Sequence, residues 1–381
     1  MLPVVPRVFV LGNSNITKFL TYKLATHPSQ PTVPDVVLIL KSEEESKSFV
    51  DFHKSSITVR NFSIRYPAVY KTQVMATAGA PRYSNGAAFK LSNVVLGGSD
   101  FHRADELLSA FQRSIGPRTN ILLLDSSRSV VERIQNHIFK DPAKRPTIYQ
   151  CISSHRLFGK YPFEVGTLAT GNLTICKVPK DIRSPDKEEM NLSLDAHLDK
   201  QPDFIKMLVD TTGIHPVFVS FRDFEILQLE SLVIRAATEP LSVIYDCSYG
   251  ELLQMENITN LVTQIVKESV TIIKKALPHT LENPYLETAL DVNRLVTVVF
   301  NILRVNFNDM SNLRFHLRNN REKLHQNTSE YFVELAKKGG IESPVNTLYA
   351  EQVEARHSMA MYKSNSGFKR WKPKIRKNTI I

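Results

Sequence analysis

Cysteine is scarce in this chain. Three occur in 381 residues, Cys151, Cys176 and Cys247, with no C-x-x-C pair among them. That spacing excludes a disulfide framework and offers no zinc-ligand set, so reduced, structural thiols and no metal site are expected. Long hydrophobic runs are missing too. None reaches the roughly 18 residues that a membrane-spanning helix needs, and the opening MLPVVPRVFV lacks the charged-then-apolar order of a secretory signal. No repeat at solenoid spacing occurs, and no low-complexity segment outside the C-terminal tail. Acid is absent from the front: the first is Asp35, after Arg7, Lys18 and Lys23. That bias weakly resembles an organelle transit peptide, although a strand beginning by Arg7 leaves little room for a disposable presequence.

What is present describes a folded protein of two or three domains, with 42% hydrophobic and 23% charged residues. Lys and Arg number 48 against 38 Asp and Glu, a net charge of +10. Much of the excess is in the tail, where Lys363, Lys369, Arg370, Lys372, Lys374, Arg376 and Lys377 have no acid among them. Phe368 and Trp371 interleave with these cations. Such a segment suits RNA or an anionic membrane surface, and its plainer reading is a solvated end.

Along the chain, Arg7 to Leu11 is a short apolar run stopped by Gly12, and Ile16, Phe19, Leu20 and Leu24 then recur at helical spacing. A proline-broken loop leads to Val36–Leu40, a run suited to a strand buried on both faces. Helix-compatible sequence follows from Glu43. Further strands are expected at Asn93–Leu96 and Asn120–Leu124, with a helix near Glu106–Phe111 between them. This alternation predicts an α/β, doubly wound parallel sheet. Residues from about Thr147 to Ser220 look β-rich, with Asp181–Gln201 as an exposed insertion. From Phe224 the pattern turns helical, with long amphipathic helices expected through Ile258–Ile273 and Leu286–Val305 and another at Tyr331–Leu335. The expected division is 1–220, 221–361 and a basic tail, 362–381.

The first strand–helix turn reads Gly12-Asn13-Ser14-Asn15-Ile16-Thr17, which is G-x-S-x-x-T where a dinucleotide fold carries G-x-G-x-x-G. Only the glycine that makes the turn remains. Ser14 puts a side chain where the pyrophosphate would lie, and its favoured role is a helix cap. Gly12, Ser14 and Lys41, the last in reach of a 2′-phosphate, are the candidate cofactor residues, and no bound cofactor is the main expectation. His102 and His155 lack any catalytic or metal-ligand spacing, and the Asn-x-Thr sequons carry no meaning without secretion.

The helical half holds a more specific string: Arg235-Ala236-Ala237-Thr238-Glu239-Pro240-Leu241-Ser242, then Tyr249-Gly250-Glu251-Leu252, and later Gly340-Ile341-Glu342-Ser343-Pro344-Val345-Asn346-Thr347. These resemble the K-x-x-x-N-x-x-x-N-P-L-[ST], N-G-E-L and G-I-x-x-P-x-N-T strings of the ketopantoate reductases (2-dehydropantoate 2-reductases, ApbA/PanE). The resemblance implies a Rossmann-like domain followed by an all-helical domain like the C-terminal part of 6-phosphogluconate dehydrogenase. Carried over by position, the family's general-acid lysine falls on Ser231 and its two substrate asparagines on Arg235 and Glu239. The cofactor-side asparagine falls on Ser126, within Asp125-Ser126-Ser127. The late T-E-I-D string falls near Lys323–Gln326, where no carboxylate aligns unless a gap of one or two residues brings in Glu322. A hydroxyl cannot supply the proton that an ammonium does, and Glu239 would repel an anionic substrate, so no catalytic residue is assigned.

One branch of the family resembles this chain further. The fungal mitochondrial activators of cytochrome b messenger RNA translation share segments similar to Pro6-Arg7-Val8, Leu11-Gly12-Asn13-Ser14, Pro28-Ser29-Gln30-Pro31 and Thr119-Asn120-Ile121-Leu122. That resemblance implies a non-enzymatic translational activator on the matrix side of the mitochondrial inner membrane. Its partners would be the messenger RNA leader and the mitochondrial ribosome, with Lys369, Arg370, Trp371, Lys372, Lys374, Arg376 and Lys377 meeting RNA or membrane. Pairing of two chains is left open. The rival expectation is an NADPH-dependent reductase of ketopantoate or another 2-keto acid.

Overall fold

The computed structural model describes residues 5–62, 66–97, 108–126, 128–159, 161–182, 187–192, 195–318 and 328–365. It falls into two compact units, Met1–Glu225 and Ile226–Ile381.

The first unit begins with β1 (Val8–Leu11), α1 (Asn15–Ala25), β2 (Val36–Leu40) and α2 (Glu43–Asp51). The strands β3 (Ser56–Asn61), β4 (Ala68–Gln73), β5 (Met75–Ala78), β6 (Asn93–Leu96) and β7 (Asn120–Leu124) follow, then α3 (Arg128–Arg133). After it come β8 (Thr147–Ser153), β9 (Arg156–Phe158), β10 (Glu164–Ala169) and β11 (Leu173–Lys177). Two short helices, α4 (Lys187–Asn191) and α5 (Asp203–Asp210), precede β12 (Pro216–Phe218).

Eight strands form the main sheet in the order β12-β11-β8-β7-β6-β1-β2-β5. The six from β5 to β8 are mutually parallel, and the apolar runs of the central strands β1, β2, β6 and β7 are largely buried on both faces, fully so in Val8–Leu11. The sheet is not parallel throughout: β11 runs antiparallel to β8, from which the connecting chain returns without a crossover helix.

A second sheet, β4-β3-β10-β9, is not expected as such from the sequence: β9 and β10 fall in the stretch read as β-rich, while β3 and β4 have no counterpart in that reading. Its inner face packs on α1, where Ile57, Val59 and Val165 join one core cluster with Phe19, Leu20 and Leu24. The helix is thereby buried on most of its circumference, including Thr17, Lys18 and Thr21. The alternation in Ser56-Ile57-Thr58-Val59-Arg60-Asn61 was the available signal.

The second unit consists of helices. α6 (Phe221–Ile244) starts in the last residues of the first unit, so the expected break at 220 lies just before this helix rather than at the unit boundary. α7 (Tyr249–Leu252), α8 (Ile258–Ala276), α9 (Leu286–Ala289), α10 (Val292–Val305), α11 (Asn312–Arg318), α12 (Thr328–Lys338) and α13 (Pro344–Asn365) complete it. The single helix expected over Leu286–Val305 is two, because the Asp291 carboxylate accepts from the Arg294 backbone N–H at 2.7 Å and caps a new start. α13 runs to Asn365, past the expected start of the tail at 362, and residues 366–381 lie outside the described set. Among the described residues no helix is long and apolar enough to cross a membrane.

Asp246, in the turn after α6, ties down α11: it accepts from Arg314 at 2.8 Å and from Arg318 at 3.1 Å. The hydrogen bond from Arg318, reinforced by Arg314, holds its carboxyl below the usual carboxylate range. Because the folded-state value is depressed, the stabilisation is complete above the unfolded value, about 3.9, and is lost as pH falls through the folded one. Asp246→Asn should therefore lower the melting temperature by a constant amount between about pH 5 and 8, with the gap to the natural chain closing below about pH 4. The carboxylate is half exposed, so the effect should be roughly 1 kcal/mol or less. Thermal melts across that range check it, and a gap that persisted at low pH would contradict the assignment.

Candidate functional site

Parallel α/β sheets bind ligands beyond the carboxyl ends of their strands, and here Gly12, Gly97 and Asp125-Ser126 follow β1, β6 and β7. Gly12 has φ +103°, and a Cβ there would collide with the Gly97 carbonyl oxygen. The glycine that survives from the dinucleotide motif is thus held by the neighbouring strand, whether or not a phosphate is present.

Ser14 caps α1. Its Oγ accepts from the Thr17 N–H at 3.2 Å and lies 2.7 Å from the Thr17 hydroxyl. One backbone donor of this helix start, the Thr17 N–H, is thereby satisfied within the protein. The β9–β10 connection also crowds this helix end: a Cβ on Gly159 would overlap the Asn15 Oδ1, and Lys18 Nζ reaches the Tyr161 carbonyl at 3.4 Å. Burial pulls the Lys18 ammonium below its ordinary value, with Glu164 opposing the shift. Nothing in the turn's sequence reveals Lys18 here, because the covering loop comes from a sheet more than a hundred residues away.

Lys41 is exposed at the end of β2. Its backbone N–H donates to Glu45 at 2.9 Å, and Glu43, Glu44 and Glu45 occupy the first turn of α2 beside it. Three carboxylates at that point disfavour a 2′-phosphate. Ser126 is buried and its Oγ accepts from the Gln150 amide at 2.7 Å; Asp125, at φ +51°, accepts from the Ser153 N–H at 2.8 Å. Internal bonds hold this turn closed. His155 is a packing residue, set against Phe19, accepting from the Gly171 N–H and meeting the Ile214 carbonyl through its other nitrogen.

In the helical unit, Ser231, Arg235 and Glu239 stand one turn apart along α6. Ser231 is exposed. Arg235 and Glu239 bond each other in a two-pronged pair, at 3.0 and 3.4 Å, with the Glu239 side chain nearly buried. Burial, with Glu239 nearby, pushes the Tyr249 hydroxyl up to about 12. The other strings of this unit are structural. Ser248 and Glu251 form a reciprocal capping box at α7, where a Cβ on Gly250 would enter the Phe307 ring. Glu268 accepts from the backbone N–H groups of Val345 and Asn346, at 2.9 and 2.7 Å, and from the Asn346 side chain, anchoring α13 behind Pro344.

Of the sequence-derived candidates, Gly12, Ser14, Lys41 and Ser126 belong to the first unit, and Ser231, Arg235 and Glu239 to the second. The tail cations Lys369, Arg370, Lys372, Lys374, Arg376 and Lys377, with Trp371, lie outside the described residues, as do His102, Ser127 and Lys323–Gln326. Among the described residues no group of three or more His, Cys, Asp or Glu could hold a metal ion.

Comparison with known proteins agrees with this architecture. The chain is 27% identical over 361 residues to the Cytochrome B translational activator CBS2 of Saccharomyces cerevisiae, covering 87% of this chain and 90% of that one. A Schizosaccharomyces pombe protein described as "Probable 2-dehydropantoate 2-reductase" is 28% identical over 340 residues, covering 89% and 93%. D-mandelate dehydrogenase, solved with NADH and anilino(oxo)acetate, shares the fold at a TM-score of 0.66 and 13% identity, covering 93% of this chain and 99% of that one. The family model for the ketopantoate reductase PanE/ApbA C-terminal domain matches residues 223–357. Residues 223–357 thus match the ketopantoate reductase PanE/ApbA C-terminal domain, and the chain shares the fold of D-mandelate dehydrogenase.

Proposed function

We propose that this protein is a non-enzymatic activator of cytochrome b messenger RNA translation in the mitochondrion. In this reading a reductase scaffold links the messenger RNA leader, the mitochondrial ribosome and the matrix side of the inner membrane. The observation that carries it is the pair Arg235–Glu239: two positions that would bind substrate in a reductase are spent on each other, beside an exposed Ser231 in place of the acid lysine. The similarity to CBS2 along most of both chains supports the choice of activity. NADP is not assigned. Ser14 caps the helix where a pyrophosphate would sit, and three glutamates flank Lys41.

The competing reading is an NADPH-dependent 2-keto acid reductase, favoured by the Schizosaccharomyces pombe relative. Purified protein supplied with NADPH and 2-dehydropantoate decides between them. Loss of the general acid alone should cost about 10²- to 10⁴-fold in rate, so turnover is expected at background. A rate near 1 s⁻¹, roughly the low end of ordinary enzymes, would overturn the proposal. NADPH should leave the melting temperature unchanged, whereas a saturable rise at micromolar concentration would show a retained cofactor site. In cells, depletion should reduce cytochrome b synthesis and spare other mitochondrial translation products.

A further inference from the structure

The four-stranded sheet has an inner face occupied by α1 and an outer face that exposes two aromatic rings. Side chains alternate along a strand. Because Ile57, Val59 and Val165 point into the core with the partly buried Leu157, their neighbours Thr58, Arg60, Glu164, Gly166, Arg156 and Phe158 face outward. Phe62 extends this face from the end of β3, held by its N–H to the Thr167 carbonyl at 2.9 Å. Phe62 and Phe158 are 40% and 39% exposed, far from the burial usual for phenylalanine.

These two rings come from strands that are not neighbours. β10 lies between β3 and β9, and the residue of β10 beneath the rings is Gly166. A Cβ at Gly166 would overlap the Phe158 ring. The missing side chain lets Phe158 lean across β10 until the ring centroids are 5.3 Å apart, tilted by 50°. Glycine inside a strand loosens it, and here the return is a paired aromatic platform at the surface.

Among the described residues, cations outnumber acids around the platform, three to one. Lys71 and Arg156 are exposed on the two outer strands, and Lys71 pairs in register with Thr58, on the outward side. Arg60 is the third cation. Glu164, the acid on this face of β3 and β10, is bound to Arg60 at 2.5 and 3.3 Å. From β4 to β9 the face spans three inter-strand spacings, roughly 14 Å, a width on which four-stranded sheets stack about two or three bases.

We propose that this outer sheet face binds single-stranded RNA, with bases stacked on Phe62 and Phe158 and phosphates met by Lys71 and Arg156. The assignment rests on the RNA-directed reading above for its choice of nucleic acid, and it places contact on the folded sheet rather than in the tail. Aromatic faces accept any base, and flanking cations supply an affinity that falls with salt, so binding tolerates sequence.

The test is fluorescence anisotropy of the full chain with a labelled oligouridine of about 12 nucleotides, within the span of such sites. Replacing one ring with alanine should weaken binding about 5- to 150-fold, the worth of one stacked base. Phe62→Leu with Phe158→Leu keeps the apolar surface and should weaken binding as alanine does, whereas Phe62→Trp with Phe158→Trp should preserve it. Lys71→Gln with Arg156→Gln should make the salt dependence shallower by about 0.7 per cation. Matching circular-dichroism melts establish that each variant is folded.

Several results would overturn the proposal: natural protein that ignores the RNA, leucine variants that bind as well as the natural chain, or binding lost with residues 366–381 and unaffected on the sheet. Phe-dependent sedimentation with anionic vesicles in place of RNA binding would reassign the face to membrane. Cytochrome b synthesis measured in the same variants separates the two readings. If it still depends on the chain while the sheet variants leave RNA binding unchanged, only the sheet assignment falls.

Discussion

Gly12→Ala is expected to destabilise the N-terminal unit by roughly 3 kcal/mol or more. Two costs combine at this position. A side chain at φ +103° is strained, a cost of order 1–3 kcal/mol. The added methyl would also enter the Gly97 carbonyl oxygen, a backbone atom that cannot swing aside. The Gly97 N–H donates to the Leu11 carbonyl at 3.1 Å, and β1 and β6 run in register up to Leu11 and Leu96, so relief requires parting two central strands. Gly79→Ala isolates the first cost. Its φ is +69°, yet nothing lies within 4 Å of the added carbon. Denaturation followed by circular dichroism should show a small loss for Gly79→Ala, of order 1 kcal/mol, and a far larger one for Gly12→Ala. Equal losses would mean that close strand approach contributes nothing.

The second large effect concerns the first turn of α6. Arg128, on α3, is in direct ionic contact with Glu225, whose side chain is almost fully buried. Arg128 also reaches Glu132 at 3.0 Å and the Ile182 carbonyl at 3.3 Å. Removing one partner of a buried pair costs about 3–5 kcal/mol, because a desolvated charge loses its counterion. Arg128→Met should approach that range. Replacing both members by apolar residues of similar volume, Arg128→Met with Glu225→Leu, should recover most of the loss. The cycle of single and double variants measures the coupling directly. If the double variant were as unstable as the two single losses added together, packing rather than the ion pair would account for the stability of this contact.

The strands of the main sheet were legible because each carries its own evidence. Val8–Leu11, Val36–Leu40, Asn93–Leu96 and Asn120–Leu124 are apolar runs each bounded on at least one side by Gly, Ser or Asp, and a run buried on both faces shows no alternation to misread. The helix over Ile258–Ala276 announced itself by period, with Val262, Ile265, Val266 and Ile273 on its buried side. The break inside Leu286–Val305 was less visible, since apolar spacing continues through it and only the capping geometry of Asp291 divides it. β9 and β10 were hidden for a different reason: Arg156–Phe158 and Glu164–Ala169 are too short and mixed to signal a sheet until β3 and β4, a hundred residues earlier, supply the partners.

The candidate site divides in the same way. Sequence by itself determined the chemistry that is present or replaced: a serine, an arginine and a glutamate at 231, 235 and 239, a serine at 14 and a glycine at 12. Residue identity settles which protons and charges a position can offer. Only the tertiary structure decided which distant segments meet these groups. Although the Arg235–Glu239 pair and the Ser14 cap follow from spacings of four and three residues, the β9–β10 connection, more than a hundred residues away, closes over Asn15 and Lys18. Gly166 likewise becomes meaningful only when a ring from the next strand lies over it. The cover over α1 and the ring over Gly166 depend on strand pairing in the second sheet, and no local pattern encodes which distant surface will arrive.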